Sequence, residues 1–129
     1  MALITFLVED NKTIRENLIP ALEDLANASV VGFAETEAEA SSWLVAHNGD
    51  WHLVIVDLFL RQGSGLGVLS GCQSRLPYQK AVVLTNYATQ DMRERCLSLG
   101  ADAVFDKSTE LEALIEYCDQ NRPSSYMAL

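Results

Sequence analysis

The sequence is poor in basic residues, cysteine, proline and histidine. Only 9 of its 129 residues are Lys or Arg, against 18 Asp or Glu, and the formal net charge is −9 with a pI near 4.5. Phosphate backbones and anionic lipid surfaces are bound by clustered cations, and no basic run is present, so direct nucleic-acid or membrane-surface binding is not expected. The three cysteines, Cys72, Cys96 and Cys118, are odd in number and form no CxxC pair. Neither a disulfide framework nor a zinc site is indicated, and a reducing, cytoplasmic setting fits. Long apolar runs are missing too. The apolar start, Leu3 to Val8, has no basic flank and stops at Glu9 and Asp10, too short for a membrane span and unlike a signal peptide.

The sequence has 49% hydrophobic residues, enough for a real core, in a length that gives room for one domain. Apolar runs of strand length alternate with stretches of helical period. Strands are expected at Leu3–Val8, about Ser29–Ala34, His52–Val56, Ala81–Leu84 and Ala103–Phe105. The first helix, within Asn11–Asn27, has Asn11 as N-cap and Ile14, Leu18, Leu22 and Leu25 on one face; Pro20 predicts a kink or break. Thr36-Glu37-Ala38-Glu39 and Thr109-Glu110-Leu111-Glu112 read as capping boxes opening the second and last helices. Gly63, Gly65 and Gly67 mark a loop before a short helix reaching about Arg75, and Thr89 to Leu99 is a helix closed by Gly100. The last helix presents Leu111, Leu114, Ile115 and Cys118. His47 and His52 read as surface or edge residues, Trp43 and Trp51 as packing, and the cysteines as inert core groups.

Strict alternation of continuous apolar strands with helices predicts an α/β fold with a parallel sheet covered on both faces. Right-handed crossovers bring all strand C-termini to one edge, where ligands bind at the switch point. The residues at the strand C-termini are therefore informative. The first strand ends in Glu9-Asp10, the third in Asp57, the fourth in Thr85 and the fifth in Asp106-Lys107. Taken singly, each residue has an ordinary explanation as a turn, cap or solvated side chain. Taken together they place three of these carboxylates, those of Glu9, Asp10 and Asp57, with a hydroxyl and an ammonium in one crevice. Converging carboxylates raise each other's pKa or hold a cation, and oxygen-only ligands suit Mg²⁺. A carboxylate nucleophile beside such an ion, with Lys and Thr nearby, is a site for phosphoryl transfer.

The segments Phe6-Leu7-Val8-Glu9-Asp10-Asn11, Val54-Ile55-Val56-Asp57-Leu58, Val83-Leu84-Thr85, Gly100-Ala101-Asp102 and Asp106-Lys107 resemble the receiver domains of bacterial response regulators over roughly residues 3–120. The resemblance implies a CheY-like (βα)5 fold: a doubly wound, flavodoxin-like three-layer sandwich with a five-stranded parallel sheet in the order 2-1-3-4-5. It implies a metal site of Glu9, Asp10, Asp57 and the main-chain carbonyl of Phe59, holding Mg²⁺. Asp57 would accept the phosphoryl group, and Thr85 and Lys107 would contact it. The implied partners are a sensor histidine kinase or histidine phosphotransfer protein and a downstream protein target, with the chain a monomer or weak dimer. Only self-phosphorylation and autodephosphorylation are implied, without turnover of a separate substrate. Residues 1–121 would be the receiver and 122–129 a C-terminal tail.

The sequence departs from the family pattern at several positions. Ser108 follows the lysine where proline is usual, and Arg61 stands four residues beyond Asp57 where proline is common. Asn86 follows the switch threonine in place of a small residue. Val104 occupies the usual aromatic switch position, so an aromatic relay is not expected. Rival readings remain: a receiver cut from a longer regulator with a DNA-binding or enzymatic output domain, an aspartate-nucleophile phosphatase, a flavodoxin-like cofactor binder, and a pseudo-receiver. Haloacid-dehalogenase-like phosphatases need an acid where Phe59 stands, and Glu9-Asp10 would repel a bound phosphate loop ligand. The full acid–Thr–Lys set argues against a pseudo-receiver.

Overall fold

The computed structural model describes residues 2–122. All of the expected tail beyond residue 122 lies outside them. The elements run β1 (Leu3–Val8), α1 (Lys12–Leu25), β2 (Ala28–Ala34), α2 (Glu37–Ala46), β3 (Leu53–Val56), α3 (Gly65–Gly71), β4 (Lys80–Thr85), α4 (Gln90–Ser98), β5 (Ala103–Asp106) and α5 (Leu111–Gln120). The five strands form one parallel sheet in the order β2-β1-β3-β4-β5. The order reverses between β1 and β3, which sets the switch point at their C-terminal ends.

Strand alternation divides the core into two layers. Val54 and Val56 of β3 join Phe6, Val8, Ala81 and Val83, and are covered by Ala40, Val68, Leu69 and Cys96 from α2, α3 and α4. Leu53 and Ile55 face the other way with Leu3, Leu7, Val82 and Leu84, under Leu18, Leu22, Leu114 and Cys118 from α1 and α5. Trp51 is buried, and Trp43 stacks on Phe6 with centroids 4.0 Å apart. All three cysteines are buried and free. Among the described residues no helix is long and apolar enough to cross a membrane.

Asn11 caps α1 as expected, its side chain accepting from the Ile14 N–H at 3.0 Å. The break at Pro20 does not occur; α1 continues through it. Proline removes the N–H that would bond the Glu16 carbonyl, but both residues lie on the solvent face, where that carbonyl is open to water. Leu25 is 68% exposed rather than part of the packed face; Ala26, four residues beyond Leu22, takes that place.

The Thr36 box forms with a variation. The Thr36 hydroxyl accepts from the Glu39 N–H at 3.1 Å, while the Glu39 carboxylate accepts from the N–H of Glu35. The box at Thr109 does not form. Asp106 Oδ1 accepts from the N–H groups of Ser108 and Thr109, and α5 opens at Glu110 without a side-chain cap. Asp106 reaches the free N–H groups first because its carboxylate folds back over its own turn.

The glycines after β3 do more than form a loop, since Gly65 and Gly67 lie inside α3, which stops short of Arg75. A Cβ on Gly65 would come within 2.1 Å of the Asp57 carbonyl oxygen. Gly63 and Gly67 make room for Glu37 of α2. Its carboxylate accepts from the Ser64 N–H at 2.9 Å, and a Cβ on Gly67 would sit 2.3 Å from its Oε2.

Candidate functional site

The acidic ends of β1 and β3 are held by the sheet itself. The Glu9 N–H donates to the Ala34 carbonyl at 2.9 Å, and the Asp57 N–H to the Val8 carbonyl at 2.9 Å. Glu9 is buried, Asp57 is 8% exposed and Asp10 is half-buried. Carboxylate oxygens of Glu9, Asp10 and Asp57 all lie within 4.8 Å of one another.

Lys107 follows β5 and its N–H donates to the Thr85 carbonyl at 2.9 Å, which fixes its backbone beside β4. Its Nζ lies 2.6 Å from Glu9 Oε1 and 2.9 Å from Asp57 Oδ2. Burial opposes the Lys107 ammonium, but its hydrogen bonds to Glu9 and Asp57 outweigh this, and its pKa is raised. Burial lifts the Glu9 pKa above the usual carboxylate value; Lys107 offsets part of this and the Asp57 charge adds to it. Thr85 is fully buried at the end of β4, and its hydroxyl accepts from the Tyr87 N–H at 3.1 Å.

The structure thus brings Glu9, Asp10, Asp57 and Lys107 together, with Thr85 at the end of the adjoining strand. Phe59 forms a bridge with Ser64 and is 55% exposed, its ring lying against that of Tyr87. Val104 packs toward the α2–α4 layer while Phe105 packs toward α1 and α5, its ring 5.7 Å from Tyr117. Phe105 therefore does not stand in for an aromatic at position 104.

Sequence reasoning missed Arg15 and Glu35. Arg15 is buried on α1, donating to the Glu9 main-chain carbonyl and to the Glu35 carboxylate, both at 2.9 Å. A readable signal existed: Arg15 stands three residues before Leu18 and seven before Leu22, within the buried stripe.

The family model described as the response regulator receiver domain matches residues 5–119. The chain belongs to this family. A curated relative, the DNA-binding transcriptional activator DevR/DosR of Mycobacterium tuberculosis, is 29% identical over 102 residues. That match covers 79% of this receiver's chain but 46% of the relative, so the chain spans about half the relative's length. A response regulator from Burkholderia pseudomallei is 25% identical with a TM-score of 0.75, over 92% of this chain and 68% of that one. Its crystal structure contains a phosphorylated aspartic acid, a calcium ion and citrate. A LuxR-family regulator from Aurantimonas sp. SI85-9A1 has a TM-score of 0.81 at 20% identity, over 99% of this chain and 94% of that one, and shows the shared fold.

Receivers of two-component systems bind Mg²⁺ at an acidic pocket, and the Glu9–Asp10–Asp57 cluster has the character of one. Its donors are all oxygens, and its carboxylates outnumber the lysine that balances them, so a hard divalent cation fits the set.

Proposed function

We propose that this receiver accepts a phosphoryl group on Asp57 from a phosphohistidine, on a sensor histidine kinase or a histidine phosphotransfer protein, and signals through protein–protein contacts. The observation that carries the reading is Lys107 Nζ lying 2.9 Å from Asp57 Oδ2 beside a three-carboxylate cluster. Glu9, Asp10, Asp57 and the Phe59 carbonyl would hold Mg²⁺. The ion, when bound, neutralises charge on the transferring group.

An Asp57 carboxylate oxygen attacks phosphorus in line. The bond from phosphorus to the donor imidazole nitrogen breaks, and its electron pair returns to that nitrogen. Lys107 would exchange its bond with Asp57 for one to a phosphoryl oxygen, and the Thr85 hydroxyl would donate to another. Loss of the group to water completes the cycle, so the chain acts on itself and not on a separate substrate. The phosphorylated aspartate and bound cation of the Burkholderia pseudomallei regulator support this chemistry. A cytoplasmic location goes with a kinase partner of this kind.

A second reading concerns the whole protein. The curated relative is about 1.7 times as long and is a DNA-binding activator, which favours a receiver that controls an attached output domain. With a net charge of −9, the receiver itself would not be the DNA contact.

Incubation with Mg²⁺ and a small phosphodonor should add one phosphoryl group by intact mass. Asp57→Asn should remove the label and keep the fold. A phosphoryl group mapped to Ser, Thr or His overturns the reading.

A further inference from the structure

Three loops meet around Glu35. It directly follows β2, whose last carbonyl, on Ala34, accepts from the Glu9 N–H. Its Oε2 takes Arg15 Nη1 at 2.9 Å, and its Oε1 takes Arg61 Nη2 at 3.2 Å. Arg15 Nη1 also donates to the main-chain carbonyl of Glu9 at 2.9 Å. The guanidinium lies 4.2 Å over the Phe33 ring, which fixes its plane. On the far side, Arg61 belongs to the loop after β3, two residues beyond Phe59. That loop is tied to the same neighbourhood by the bridge of Thr36 with Gln62 and by the Glu37 N–H donating to the Gln62 carbonyl at 3.1 Å.

One carboxylate therefore joins the segment carrying Glu9 and Asp10 to the segment carrying Asp57 and Phe59. The link is made by side chains and main chain alone. A site assembled from two independent loops must lose loop entropy when an ion binds, whereas a braced one has lost it already. We propose that Arg15 and Glu35, with Arg61, are positioning residues that hold the two loops in register for the divalent cation. This rests on the cation site proposed above.

Simple electrostatics predicts the opposite sign. Arg15 and Arg61 are positive and stand near a cation site, so removing either should tighten cation binding if charge alone mattered. A brace predicts the reverse. Outer partners of metal ligands typically change affinity by roughly ten- to a hundredfold when removed.

The test is calorimetric titration of Mg²⁺ into the wild-type protein and the variants Arg15→Met, Arg15→Lys and Arg61→Ala, with transfer from a small phosphodonor measured at saturating Mg²⁺. Arg15→Met should weaken Mg²⁺ binding about tenfold, and the exposed Arg61→Ala about threefold. Arg15→Lys, which keeps one donor, should recover part of the loss. Phosphorylation at saturating Mg²⁺ should stay within about twofold, because the braces touch no reacting atom. Should Arg15→Met fail to fold, Arg61→Ala carries the same sign on a surface residue. Unchanged or tighter Mg²⁺ binding in the folded arginine variants overturns the brace while leaving the cation site standing. Wild-type protein that binds no Mg²⁺ overturns both.

Discussion

The rings of Phe59 and Tyr87, two residues beyond Asp57 and two beyond Thr85, meet with centroids 4.5 Å apart and planes tilted by 58°. Hydrolysis of a phosphoryl group on Asp57 needs a water in line with the breaking bond. Lying across that approach, the paired rings would narrow it, and Phe59 has no group that could activate water. The phosphoprotein should lose phosphate slowly, and Phe59→Asn with Tyr87→Ala should speed the loss several-fold. Decay of the purified phosphoprotein in Mg²⁺ measures this; equal or slower decay in the double variant means the rings do not gate the water.

Asp10 shares its cluster with Glu9 and Asp57, all within 4.8 Å. Without a cation these carboxylates repel one another. Asp10→Asn should raise the stability of the metal-free protein by about 1 kcal/mol, the scale of two unit charges some 4 Å apart in a water-like medium, or about 4 °C in Tm. The same variant should bind Mg²⁺ poorly and take up little phosphate. Thermal melts in chelator check the first half; a lower Tm for the variant contradicts it.

His52 directly precedes β3 and is half-buried, with its Nδ1 accepting from the Ile4 N–H at 2.9 Å. An N–H can bond there only while Nδ1 keeps its lone pair, and burial holds the His52 pKa below its ordinary value. The unfolded chain therefore takes up a proton at a higher pH than the folded one. The contribution is complete above about pH 6.5 and is lost as pH falls through the lower folded value, with a slope of up to about 1.4 kcal/mol per pH unit. Urea midpoints measured between about pH 5 and 7.5 should show that slope. His52→Asn, which retains an acceptor, should flatten it, and an unchanged slope would assign the effect elsewhere.

Arg93 of α4 donates to the carbonyls of Ala88 and Val104 and to the Glu110 carboxylate, which also accepts from the Asp106 N–H. These contacts tie the loop after Thr85 to β5 and to the start of α5. A phosphoryl mimic at Asp57 should therefore change amide exchange at residues 86–89 and 103–110. With Val104 in place of an aromatic switch, the shift in population should be modest. Arg93→Ala should raise exchange in the same segments without any mimic. Changes confined to α1 would refute this route.

The acid pair, Asp57 and Lys107 were legible because they end strands, and strand ends are where apolar runs stop in the sequence. Thr85 was legible for the same reason. The sheet order followed from the family resemblance carried by those residues. Pro20 does not break α1 because the cost of proline in a helix depends on which face the freed carbonyl occupies, and that is a tertiary fact. Thr109 misled because Asp106 Oδ1 takes the Thr109 N–H that the box would have given to Glu112, and α5 opens one residue later, with Glu110 at its N-cap. Arg15, on α1, and Glu35, in the turn after β2, are twenty residues apart, and no local pattern marks their contact.

The seat that Gly63 and Gly67 provide for Glu37 binds three positions into one unit of inheritance. A side chain at either glycine evicts the carboxylate, and loss of the carboxylate leaves the Ser64 N–H without its partner. Either change alone is penalised, whereas the second change after the first has little left to lose. A lineage leaving this arrangement would pass through an intermediate that has lost the Ser64 contact, or alter both segments at once. The loop that carries Phe59 and Arg61 is in this way anchored to α2 by a constraint on history as well as on energy.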